Sequence, residues 1–172
     1  MIFVTRRLLV VLVLTFSFFG CRANNDDQSI LPKEPTPETM GYYCGMNLKE
    51  HSGPKGQIIV AGEENTLWFS TIQEAFSYSY LEGATRHILA FYVNDMGQSI
   101  DWDHPQPGSW IKAESAYYVL GSKRGQTTGD VEIVPFGSKP QAENFMHSYG
   151  GRVFSFNEIN EKDILPNQPK NK

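Results

Sequence analysis

An α+β fold built from two related β-β-α-β units is the architecture this sequence predicts, and three observations lead to it. Beyond residue 40 the chain passes through two extended segments, a helix and a third extended segment, and then repeats that order. An offset of 67 residues places Phe69 opposite Phe136, Ala75 opposite Ala142 and Tyr78 opposite Phe145. Between the halves, residues 94–110 hold Gly97, Pro105, Pro107 and Gly108, the composition of a loop-rich junction. The units are drawn at residues 41–97 and 98–172, the second carrying a C-terminal tail.

In the first unit Tyr42-Tyr43-Cys44 is a short extended candidate, and Gln57 to Ala61 is a second, closed by Gly62. Ser70 or Thr71 is placed to cap a helix running to about Leu81, with Ile72, Ala75, Phe76 and Ser79 on one face and Gly83 beyond its end. His87 to Val93 is a nearly unbroken apolar run, the pattern of a buried strand. In the second unit Ala116–Leu120 and Val131–Val134 are predicted strands. Lys139 to Tyr149 is a helix with Pro140 in its first turn and Gly150-Gly151 past its end, and Arg152 to Phe156 is the closing strand.

The segment before residue 41 belongs to targeting. Arg6 and Arg7 precede an apolar run from Leu8 to Phe19 that only Thr15 and Ser17 interrupt, and Gly20-Cys21 follows, the layout of a signal peptide over residues 1–20. A comfortable membrane span needs roughly 20 apolar residues, more than this run supplies. Phe18-Phe19-Gly20-Cys21 resembles a bacterial lipobox, in which the cysteine becomes the lipidated first residue, although Phe18 and Phe19 stand where Leu and a small residue are usual. Ordinary secretion without lipid, or a retained anchor, is the competing reading. Residues 21–40, polar and containing Pro32, Pro35 and Pro37, are expected to form a flexible tether.

Composition narrows the function. The whole chain carries 15 basic and 19 acidic residues, a net charge of −4, and removing residues 1–20 takes two arginines and no acid, leaving −6. So acidic a body offers no electrostatic footprint for nucleic acid. About 150 residues remain, enough for a sizeable core. With Cys21 lipidated, Cys44 is the only thiol of the mature domain, and no internal disulfide can form. An unpaired thiol in an oxidising compartment is buried and inert, pairs between molecules, or is used.

Cys44-Gly45-Met46 sets a thiol and a thioether two positions apart, which on an extended backbone turns both sulfurs to one side. Soft sulfur donors of this kind select Cu(I) over hard cations, and zinc sites commonly require four nitrogen or sulfur ligands. The alternative is that both residues fill the core. Against it stands their place between the proline-rich tether and the polar loop Lys49 to Gly56. Met96, in Asn94-Asp95-Met96-Gly97 just past a strand, is a third sulfur candidate, and His51 is the nearest imidazole. Met40 sits at the tether's margin, Met146 and His147 lie on the second helix where Met146 is expected to pack, and His104 is a loop residue.

Enzyme signatures are missing: no nucleophile elbow, no glycine-rich phosphate loop, no His-Glu-x-x-His run, and no Cys-x-x-Cys pair. The sequence therefore predicts a protein that is not an enzyme.

The segments Tyr42-Tyr43-Cys44-Gly45-Met46, Glu50-His51, Gly53-Pro54-Lys55-Gly56-Gln57-Ile58, Leu67-Trp68-Phe69-Ser70, Tyr92-Val93-Asn94-Asp95-Met96-Gly97 and Gly150-Gly151-Arg152-Val153 together resemble the NosL family, from about Gly41 to Ile159. The resemblance implies a lipoprotein on the periplasmic side of a bacterial membrane. Such a protein binds Cu(I) and passes it to the copper sites of nitrous oxide reductase during denitrification, with help from a membrane transporter complex. It implies a fold of two β-β-α-β halves, treble-clef-like in the manner of the organomercurial lyase domain. Copper ligands carry over to Cys44 and Met46, then to Met96, and last to His51. An interaction module with no metal role is the rival, and an enzyme related to organomercurial lyase is disfavoured because that chemistry needs more than one cysteine.

Overall fold

The computed structural model describes residues 30–81, 87–124 and 131–165. The predicted signal peptide, the predicted lipidation site Cys21 and residues 21–29 of the predicted tether lie outside the described residues. No helix among the described residues is long and apolar enough to cross a membrane.

Two antiparallel sheets and two main helices form the body, an α+β arrangement. The first sheet has the order β2-β1-β3-β4, from β1 (Gly56–Val60), β2 (Leu67–Phe69), β3 (Ile88–Asn94) and β4 (Trp110–Lys112). The second has the order β6-β5-β7, from β5 (Tyr117–Leu120), β6 (Ile133–Phe136) and β7 (Arg152–Ser155). Helix α1 (Ile72–Ser79) follows β2, α2 (Lys139–Tyr149) follows β6, and a short α3 (Glu161–Ile164) ends the described chain. In each sheet the first strand is central, flanked by the strand that precedes the helix and the strand that follows it.

Alternation along β1 explains the layering. Gly56, Ile58 and Val60 face α1, where Ala75 and Phe76 pack on Phe69, Phe91 and Val93. A Cβ at Gly56 would lie 2.7 Å from that of Ala75, so glycine is what lets helix and sheet approach this closely. Gln57 points to the opposite face and is fully buried, an arrangement that requires partners. They come from the supposed tether: Lys33 N–H donates to Gln57 Oε1 at 2.8 Å and Gln57 Nε2 donates to the Lys33 carbonyl at 3.0 Å. Tyr92 OH donates to the Ile30 carbonyl at 2.9 Å, and Gly108 N–H to Glu34 Oε1 at 2.8 Å. Over its described part the tether is therefore a strap fixed across the first sheet.

The helices start where capping chemistry dictates. Thr71 Oγ1 accepts from Glu74 N–H at 3.1 Å while Glu74 Oε2 accepts from Thr71 N–H at 3.3 Å, a reciprocal box that selects Thr71 over Ser70 as cap. Helix α2 matches the predicted 139–149, ending at Gly150 with φ +76°. One core joins the halves: Ile58, Phe76 and Phe91 pack in the same cluster as Tyr118, Ile133, Ile159 and Ile164.

Several expectations are corrected. Tyr42-Tyr43-Cys44 is a turn, and the first strand begins at Gly56. Trp110–Lys112 pairs with Tyr92–Asn94 and so extends the first sheet beyond residue 97, where the sequence reading closed the first unit. β5 and β6 start at Tyr117 and Ile133, slightly inside the predicted ranges.

Asp95 clips the halves together. Its buried carboxylate accepts from Gly97 N–H at 2.9 Å, Gly137 N–H at 2.8 Å and Gln98 Nε2 at 2.8 Å. Removing it orphans backbone donors on both sides of the junction, and hydrogen bonds to a charged acceptor are worth ~1.5–3 kcal/mol each. Asp95→Ala is therefore expected to cost about 3 kcal/mol and to lower the melting midpoint by roughly 10 °C. Thermal circular dichroism checks this, and a midpoint within 2–3 °C of the parent, as a rough margin, would remove the clip from the account.

Candidate metal centre

Cys44 sits in a tight hairpin. Met40 and Asn47 form an isolated antiparallel bridge. Inside it Gly41 N–H donates to the Met46 carbonyl and Gly45 N–H to the Gly41 carbonyl, both at 2.9 Å. Gly45 takes φ +61°, the left-handed conformation that closes the loop and that other residues adopt with strain. The extended Cys-Gly-Met backbone expected from sequence is thus a reversal, and the two sulfurs owe nothing to strand alternation. The hairpin is fastened by Tyr42 N–H donating to the Trp68 carbonyl at 2.7 Å. The rings of Tyr42 and Tyr43 each lie 5.8 Å from that of buried Phe69.

His51 arrives through a short 3₁₀ turn, Leu48–Glu50. Its Leu48 is buried, and its cap Asn47 accepts from Lys49 N–H at 3.0 Å. The turn aims the imidazole at the hairpin, with 3.6 Å between Cys44 Sγ and His51 Nε2. Ser70 Oγ lies 3.1 Å from the same sulfur. Cys44 is partly exposed and has no disulfide partner among the described residues. Tyr42, Tyr43, Met40 and Met46 stand exposed about it, Met46 with 47% of its surface open. Burial, then the neighbouring Tyr42, Tyr78 and Glu74, raise the Tyr43 phenol above its usual pKa of 10.0.

His51 also borders two cavities of about 500 and 530 Å³. The first contains Lys55, Trp110 and His104, the second Glu50, Gln73 and Trp102. Lys55 is 6% exposed, and its ammonium donates to the Gly53 carbonyl. Burial lowers its pKa from 10.5 to about 8, with Asp103 opposing. An unfolded chain keeps that proton to near 10.5, so between about pH 8 and 10.5 the unfolded state binds more protons and stability rises with pH; below 8 both states are charged and the effect is flat. The denaturant midpoint is expected to rise from about pH 7.5 to 9.5, and Lys55→Met should abolish the rise. A parent midpoint independent of pH over that window would contradict the assignment.

The sequence-derived ligands separate. Cys44 and His51 are brought into contact. Met46 shares the hairpin and is open to solvent. Met96, expected at a solvent-facing loop, is only 7% exposed and packs with Val119, Val134, Phe136 and Ala142 in the second core cluster, which Met146 also lines. The reason is that Met96 N–H donates to the Pro135 carbonyl at 2.9 Å, drawing the residue onto the second sheet. His104 pairs with Asp101 at 3.3 Å and His147 is exposed on α2. Ser70 and Gly41 escaped the sequence reading as site residues. A serine beside a helix cap and a glycine at the base of a hairpin carry no signal that distinguishes them from structural ones.

Chemically, a thiolate and an imidazole 3.6 Å apart suit one ion between them. Bonds of about 2.3 Å to sulfur and 2.0 Å to nitrogen, lengths typical of a d¹⁰ first-row ion, span that distance at an angle of roughly 115°. Among the described residues no group of three or more His, Cys, Asp or Glu could hold a metal, so those residue types do not build a closed cage.

Fold and site together define a small α+β protein whose thiol and imidazole suit a soft metal ion. The sequence profile of the NosL family matches residues 32–164, and the chain belongs to the NosL family. The copper-binding lipoprotein NosL of Achromobacter cycloclastes is 40% identical over 162 residues, covering 94% of this chain and 84% of its own. That of Stutzerimonas stutzeri is 31% identical over 155 residues, covering 89% and 79%. The crystal structure of the copper chaperone NosL from Shewanella denitrificans superposes with a TM-score of 0.71 at 29% identity, covering 77% of this chain and 97% of that one.

Proposed function

We propose that this protein is a lipid-anchored carrier of Cu(I) on the periplasmic side of the membrane, gripping the ion between the Cys44 thiolate and the His51 imidazole. The observation that carries the reading is the 3.6 Å approach of these two atoms at a partly exposed position. Sulfur with nitrogen at low coordination number favours monovalent copper. Relatives named copper-binding lipoprotein and copper chaperone support the same cargo and support a carrier over an enzyme. Met46 is the third donor, entering or leaving as the ion is exchanged. The anchor is Cys21, in keeping with those names.

The exposed rim of Met40, Tyr42, Tyr43 and Met46 suits handover by stepwise ligand exchange. The acceptor is the nitrous oxide reductase assembly with its membrane transporter complex, a destination that rests on the family resemblance. The decisive experiment is titration of the apo protein with Cu(I) against a competing chelator, with a thiol-reactive probe alongside. One ion should bind per chain and protect Cys44 from labelling. Labelling unaffected by Cu(I) would instead favour an anchored interaction module without a metal role.

Met96 is assigned to packing. Met96→Leu should leave Cu(I) affinity within about threefold of the parent, close to Met146→Leu, and cost less than about 1.5 kcal/mol. A large affinity loss confined to Met96→Leu would restore it to the ligand set.

A further inference from the structure

We propose that Ser70 is the positioning residue of this metal centre. Its hydroxyl donates a hydrogen bond to the Cys44 thiolate in the loaded state and holds the sulfur facing His51. The inference rests on the Cys44–His51 reading above and adds a group that does not itself touch the ion.

Ser70 is 1% exposed, and its hydroxyl reaches Cys44 Sγ at 3.1 Å. A hydroxyl removed from water needs a partner. In the apo protein the direction of this bond is open, because a thiol and a hydroxyl can each donate. Metal binding deprotonates the thiol, and a thiolate can only accept. The hydroxyl must then donate, in a charge-assisted bond stronger than a neutral one.

The donor is held in place from the backbone. Ser70 N–H donates to Glu74 Oε2 at 2.9 Å, the same oxygen that accepts from Thr71 N–H at 3.3 Å, so the cap of α1 fixes Ser70 relative to the helix. Gly41 leaves no spare room beside the pair: a Cβ there would lie 2.5 Å from Ser70 Oγ and 2.6 Å from Cys44 Sγ. The sulfur thus meets a hydroxyl at 3.1 Å and an imidazole at 3.6 Å, contributed by separate chain segments. A group that orients a metal ligand in this way typically contributes about 10- to 100-fold in affinity.

Ser70→Ala tests the assignment with Cu(I) alone as ligand. We expect apo protein that melts within a few degrees of the parent, Cu(I) affinity lower by about tenfold in chelator competition, and a shifted near-ultraviolet thiolate–copper absorption band, because the bound sulfur has lost its hydrogen bond. Lower affinity with an unmoved band would mean a merely structural serine and overturns the proposal. Affinity within twofold of the parent, with or without a band shift, overturns it equally. Failure of the parent itself to bind Cu(I) would instead remove the carrier reading, so the two failures are distinguishable.

Discussion

Cys44→Ser is expected to weaken Cu(I) binding by roughly three orders of magnitude, about 4 kcal/mol, while the protein still folds. The sulfur is the one strong soft donor at the site. A serine oxygen is a hard ligand that stays protonated at neutral pH, so it replaces neither the charge nor the softness. Folding should survive because the hairpin is held by backbone hydrogen bonds, by Tyr42 N–H on the Trp68 carbonyl and by rings on Phe69, none of which uses the thiol. Chelator competition beside far-ultraviolet circular dichroism reads both halves of the expectation. Parent-like affinity in Cys44→Ser would move the metal elsewhere on the molecule.

Gly41→Ala should damage the site too, less severely, without altering a single donor. No left-handed φ is involved at this residue, so the demand for glycine is one of space. The added methyl would sit 2.5 Å from Ser70 Oγ and 2.6 Å from Cys44 Sγ, closer than nonbonded heavy atoms tolerate. Either the hairpin lifts or the two side chains separate, and both responses disturb the 3.6 Å sulfur-to-nitrogen approach. An affinity loss of about tenfold or more is expected, with a lower melting point than Ser70→Ala because the clash strains the hairpin itself. Should Gly41→Ala bind Cu(I) as the parent does, the sulfur is not confined in the manner described.

Periodicity and caps made most of the fold legible. The helix at 139–149 could be read from Pro140 at one end and Gly150-Gly151 at the other, and the apolar run into Val93 marked a central strand. Short elements escaped. Leu67–Phe69 and Trp110–Lys112 are three residues each, too brief for alternation to register, and are specified by their partners Gly56–Ile58 and Tyr92–Asn94. Tyr42-Tyr43-Cys44 has strand-forming residues but turns, because Gly45 and the bond from Gly45 N–H to the Gly41 carbonyl close a loop. The strap at 30–40 could not be foreseen, since its partner Gln57 becomes buried only once both segments are in place.

At the candidate site, softness and loop position point to Cys44, whereas which side chains lie beside it depends on three-dimensional placement. Met46 was favoured by spacing and His51 by proximity in sequence alone; the 3₁₀ turn at Leu48–Glu50 is what carries the imidazole to the sulfur. Met96 looked free in sequence because no periodic pattern claimed it, and the claim on it comes from Pro135, 39 positions away.

The bond from Tyr42 to Trp68 has an effect beyond holding the thiol. β2 borders its sheet, and a strand in that position offers unsatisfied amides and carbonyls onto which a foreign chain can add itself. Here one of those carbonyls is taken by the hairpin that carries Cys44. The hairpin that carries Cys44 is therefore also a guard rail, hindering neighbouring copies from zipping together along that border.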